Sequence, residues 1–187
     1  MSRRRLCALT IIVLSWVPAG CGAEPPPPIG PSVSAGVSRD VNATDVAFVR
    51  TLLPHLRQGI AIAQPAATRS ARDELRTLAA AIVATQRDEV ARLQGWLRAW
   101  GQSESASASA PATDGRVAAL ARLSGTKLDA AVLDLLIDHQ AEAVRLARAE
   151  TGGGVNREAL AFARQVDASR SAQIQQLTAY RDVGSGP

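Results

Sequence analysis

Two histidines, His55 and His139, are the only ones in the chain, and each stands in an apolar helical stripe. The first stripe reads Phe48, Leu52, His55, Gly59, Ile62 and the second Val132, Leu136, His139, Ala143, Leu146, both at the three-and-four spacing that keeps residues on one helix face. Two further stripes are interrupted by polar residues at matching depth. One is Ala79, Ile82, Gln86, Glu89, Leu93, Trp96, and the other is Ala163, Val166, Arg170, Gln173, Leu177, Tyr180. If the four faces converge, these six polar side chains share one layer, and buried polar groups must find partners there. Two chemistries fit. Imidazole and carboxylate are ordinary ligands of copper and zinc, so His55, His139, Glu89 and Gln86 form a candidate metal set. Alternatively the layer satisfies itself, with Glu89 paired to Arg170 and the histidines bonded to Gln86 and Gln173. Arg170 favours this second reading, because a permanent cation repels a metal ion and supplies the carboxylate with a partner. His139 with Asp138 and Glu142 outlines a smaller surface set.

The elements that must place these residues follow from an internal repeat. A shift of 84 residues carries His55 onto His139 and aligns 45–100 with 129–184 without a gap: Asp45 falls on Asp129, Leu52 on Leu136, Glu74 on Glu158 and Leu93 on Leu177. Four main helices are expected. The first runs from about Thr44 to Gln64, beginning after Asn42, kinked at Pro54 and stopped by Pro65. The second starts after a Ser70 cap with Asp73 in its first turn and ends at Trp100 before Gly101. A short helix at Gly115–Leu123 precedes the third, Lys127–Glu150, and the fourth follows Asn156 to about Asp182. Aromatic residues make up only 3%, so the core is built from Ala, Leu, Val and Ile. The expected fold is all-α: an antiparallel four-helix bundle over 42–183 made from a duplicated hairpin, with a flexible connector at 101–114.

The N-terminus reads as an address. Arg3, Arg4 and Arg5 precede an apolar run from Leu6 to Val17, too short for a membrane span, and then Ala19-Gly20-Cys21. Small residues directly before a cysteine resemble a bacterial lipobox, although Pro18 departs from it. Residues 1–20 are read as a lipoprotein-type signal peptide and Cys21 as the lipidation site; ordinary secretion and an uncleaved anchor are the alternatives. The proline-rich stretch 21–41, with Pro25 to Pro28 in a row, is read as a disordered tether that leaves the domain attached to a membrane. Removing the three N-terminal arginines from 21 basic residues leaves 18 against 17 acidic ones, so the formal charge of +4 belongs mostly to the signal. No basic stripe with interleaved aromatics remains, and nucleic-acid binding is not expected. Cysteine nucleophiles, phosphate loops and Glu-x-x-His di-iron pairs are missing, so no enzyme is expected.

The run from Asp45 to His55, with Ile62-Ala63, Leu78-Ala79, Ile82, Gln86, Glu89-Val90, Leu93 and Trp96-Leu97, resembles the domain of unknown function 305 family of exported bacterial proteins. Leu135-Leu136-Ile137-Asp138-His139 and Ile174-Gln175-Gln176-Leu177 resemble its second copy. The resemblance implies a ferritin-like four-helix bundle in the periplasm or at the cell surface, with His-His pairs and methionines associated with copper. In this chain those pairs read His55-Leu56 and His139-Gln140, and the usual methionine positions hold Leu53, Ile62, Leu93, Ile137, Leu146 and Leu177. Met1 is the only methionine. The sequence therefore predicts a kept bundle, a copper site largely lost, and a protein partner that it does not identify.

Overall fold

A computed structural model describes residues 40–104 and 115–184. The signal peptide, Cys21, nearly all of the tether and residues 105–114 of the connector lie outside the described residues. The described chain is helical: α1 (Ala43–Arg69), α2 (Asp73–Ala99), α3 (Gly115–Ala119) with a 3-10 turn (Leu120–Arg122), α4 (Gly125–Gly153) and α5 (Arg157–Gly184). Helices α1 and α2 form one hairpin and α4 and α5 another, and the hairpins meet chiefly through α1 against α4.

Leucine-rich stripes close two apolar clusters. One gathers Phe48, Leu52, Leu56, Leu93, Trp96 and Phe162, with Trp96 edge-on to Phe162 at 5.6 Å. The other gathers Ile62, Leu75, Ile82, Leu120, Leu128 and Leu136. Gln86, Glu89, His139 and Arg170 fall between these two sets in sequence on α2, α4 and α5, and His55 lies near the inner end of the first set on α1, so the core is interrupted midway by polar groups.

Helix starts show how local chemistry sets boundaries. Asn42 Oδ1 accepts from the Asp45 N–H at 3.0 Å while Asp45 Oδ2 accepts from the Asn42 N–H at 2.7 Å, a reciprocal cap on α1. Asn156 caps α5 without the return bond, its Oδ1 accepting from Ala159 N–H at 3.0 Å. Two expected boundaries differ. Pro65 does not end α1, which runs on to Arg69. The one backbone bond a proline forfeits is offset by a fully buried Ala66 and by the Arg69 guanidinium, which donates to the Leu120 and Leu123 carbonyls. Ser70 does not cap α2 either. Its hydroxyl accepts from Arg72 N–H and donates to the Arg72 carbonyl, a closed local turn, so α2 starts at Asp73 without a side-chain cap.

Where α4 hands over to α5, a carboxyl pair is sealed in. Asp45 is fully buried, and its Oδ1 accepts from Val155 and Asn156 N–H at 3.0 and 2.9 Å. Burial alone would raise its pKa, but the bonds from Asn42, Asn156 and Val155, with Glu150 alongside, hold it below the usual value. Glu150, also fully buried, is pushed up to about 8 by burial and by Asp45 beside it. Gly154 makes room, since a Cβ there would lie 2.3 Å from Glu150 Oε1 and 2.8 Å from Asp45 Oδ1. A folded pKa above the ordinary 4.5 means the contribution is complete below pH 4.5 and is lost as pH rises toward about 8. Accordingly, Glu150→Gln should flatten the decline of melting temperature between those pH values and exceed the parent's stability above them, read by circular dichroism melts. Parallel curves for parent and variant would contradict the raised pKa of Glu150.

Candidate functional site

The midplane is built by the two inner helices. His55 on α1 and His139 on α4 are 9% and 6% exposed, and their rings stack with centroids 3.7 Å apart and planes 8° from parallel. Each reaches across to the other helix: His55 Nε2 lies 3.0 Å from the His139 carbonyl, and His139 Nε2 lies 2.9 Å from the His55 carbonyl. A carbonyl oxygen only accepts, so both Nε2 atoms carry the proton. Burial, and then the neighbouring His139, push His55 down to about 3; burial lowers His139 as well, against the bond to the His55 carbonyl. Both rings are therefore neutral at ordinary pH. The bonds expected from Gln86 and Gln173 do not form. Gln173 instead accepts from Gln140 Nε2 at 2.6 Å, and both polar atoms of the Gln86 amide are buried without a partner.

The close approach of α1 and α4 depends on Gly59. A Cβ there would stand 2.3 Å from Gln86 Oε1 and 2.5 Å from His139 Cε1, so any side chain would displace the layer. Gly59 had already appeared in the stripe, but its role becomes visible only when the helices are paired. Gln140 falls off that stripe, and the sequence marked it only as the residue beside His139 where the family resemblance implies a second histidine.

The outer helices contribute an ion pair. Arg170 on α5 has no exposed surface, and its Nη2 donates to Glu89 Oε2 on α2, which is 5% exposed. Burial pushes the Glu89 carboxyl up and the Arg170 guanidinium down, while each partner's charge pulls the other back. Arg170 Nε and Nη1 remain buried without acceptors. Among the described residues no group of three His, Cys, Asp or Glu side chains is arranged to hold a metal ion. Asp138 and Glu142 border a shallow cleft beside the two histidines, where Asp138 lies 4.0 Å from Arg116 and Glu142 is paired to Arg145.

Removing one partner of a buried pair strands a charge, whereas removing both does not. Arg170→Leu alone should cost about 3–5 kcal/mol, and Glu89→Leu with Arg170→Leu should recover most of that loss. Urea unfolding of the two single variants and the double variant measures the coupling. Additive losses would show that the pair is not a unit.

Residues 45–181 match the family model for the domain of unknown function DUF305. Among curated proteins nothing matches. Among solved structures, a DUF305 protein from Streptomyces coelicolor is 22% identical, with a TM-score of 0.71 over 76% of this chain and 94% of that one. A DUF305 fragment from Deinococcus radiodurans is 25% identical, with a TM-score of 0.69 over 76% and 97%. CopM in a Cu(I)-bound form is likewise 25% identical, with a TM-score of 0.69 over 78% of this chain and all of that one. With the family model spanning most of the sequence and the same helical fold in each of these structures, the chain belongs to the DUF305 family.

Proposed function

We propose that this chain is an exported helical-bundle lipoprotein, anchored to a membrane through Cys21, without catalytic activity, whose central layer is structural and no longer a copper site. The observation that carries the reading is the reciprocal histidine pair beside a buried arginine. Each Nε2 is committed to a backbone carbonyl, and the Glu89 carboxylate is committed to Arg170. CopM was crystallised with Cu(I), Cu(II) and silver, which makes copper the ion to test. The residues here do not fit Cu(I). That ion favours thioether and thiolate sulfur. The positions where the family resemblance implies methionine hold Leu53, Ile62, Leu93 and Leu177 in the buried core, and Ile137 and Leu146 packed against it. Leucine or isoleucine in place of methionine nearly conserves volume, so the bundle survives the loss of donors.

A second reading has one observation behind it. His139 Nδ1 is buried without a partner, and so is the Gln86 amide. These atoms, with His55 and a Glu89 released by Arg170, are the set that zinc or Cu(II) would use. The structural layer is favoured because that release would leave a buried guanidinium unpaired.

Cells expressing the chain are expected to hold it in the membrane fraction, and Cys21→Ser is expected to move it to the soluble fraction. The recovered protein, titrated with Cu(I), Cu(II) and zinc, should take up no stoichiometric ion at micromolar affinity. An ion held that tightly and lost in the His55→Ala, His139→Ala double variant would establish the second reading instead.

A further inference from the structure

The internal repeat gives the Asp45 corner a counterpart, and the two are not alike. Asp129 occupies the position equivalent to Asp45, and Ala71 and Arg72 occupy those of Val155 and Asn156. At the first corner Asp45 ties down two backbone N–H groups at the start of α5. At the second, the Arg72 N–H goes to Ser70 Oγ, α2 begins without a side-chain cap, and Asp129 bonds to neither. Asp129 is 3% exposed, with both carboxylate oxygens buried and unpartnered. In place of a sealed joint there is a cleft of about 220 Å³, lined by Arg72, Thr126, Asp129, Leu133, Asp134 and Arg181.

The chemistry of this cleft is two-signed. A buried carboxylate without a donor calls for a cationic group. Two guanidinium groups, those of Arg72 and Arg181, also line the cleft and favour an anion. Arg72 is fixed in place by a bond from Nη1 to the Tyr180 carbonyl at 2.6 Å and by its position 5.3 Å from the Tyr180 ring centroid. Arg181 stands 3.9 Å from Asp134. Leu133 supplies an apolar wall. A ligand matching this arrangement carries an ammonium and an anionic group a few bonds apart. The volume lies below the about 300–1,000 Å³ of pockets for drug-sized molecules, so the ligand is small.

We propose that the cleft between the start of α2 and the first turns of α4 binds a small free amino acid, its ammonium toward Asp129 and its carboxylate toward Arg72 and Arg181. The proposal is independent of the role assigned to the histidine layer. It is tested by calorimetric titration of the intact chain with L-alanine and L-valine, with ethylamine and acetate as half-ligands. The expected result is one site for at least one of the two amino acids, weakened about tenfold or more in Asp129→Asn and in Arg181→Gln, with each half-ligand weaker by a similar factor. Arg181 sits on the rim, so Arg181→Gln keeps the test decisive if Asp129→Asn fails to fold. No heat from either amino acid up to about 10 mM overturns the proposal. So does unchanged affinity in Arg181→Gln, or ethylamine or acetate alone binding as tightly as the amino acid.

Discussion

A fully buried guanidinium must keep a carboxylate, and two buried imidazoles must keep acceptors for their protons; the arrangement of this bundle follows from meeting both demands in one layer. The inner helices meet the second demand with their own backbones. Each histidine donates to the carbonyl of the other, which fixes the register of α1 against α4 and sets two rings face to face. The outer helices meet the first through Arg170 and Glu89, which join α5 to α2. Apolar packing above and below is generic by comparison, since stripes of Leu, Ile, Val and Ala could slide by a helical turn at modest cost. The polar layer forbids that slide.

The two halves share a plan and differ wherever one residue must serve a task its counterpart cannot. Gln86 and Arg170 are equivalent by the 84-residue shift, as are Glu89 and Gln173, so one repeat contributes the carboxylate and the other the guanidinium. Gly59 faces the layer where its counterpart, Ala143, carries a methyl group, and only the glycine side admits the Gln86 amide and the His139 ring. The same divergence seals Glu150 and Asp45 at one end and leaves Asp129 beside an open cleft at the other.

Much of this was legible before any coordinates. Period-3.6 stripes located the core, and polar interruptions at equal depth located the layer. The opposite charges of Glu89 and Arg170 pointed to each other because nothing else in the stripes could neutralise them. Asn42 and Asn156 announced two helix starts through side chains suited to capping. The rest depended on distances between helices. The exchange of bonds between histidine rings and backbone requires the close approach that Gly59 permits, and a sequence does not state how near two helices come. Pro65 was read as a stop because its local cost is clear, whereas the packing of Ala66 and the reach of Arg69 to the Leu120 turn are tertiary. Asp45 and Glu150 lie far apart in the sequence, and only the fold buries them side by side.

The central claim is that the layer is closed upon itself, and the state of its imidazoles tests this most directly. Nitrogen-15 NMR of the intact chain at pH 5 is expected to show the His55 ring neutral and protonated at Nε2, because burial and the neighbouring His139 hold it near 3, while His139 titrates below the ordinary 6.5. Those signals should stay unmoved when one equivalent of Cu(I) or zinc is added. An imidazolium signal from His55 at that pH, or a shift of Nδ1 or Nε2 on adding either metal, would contradict the account.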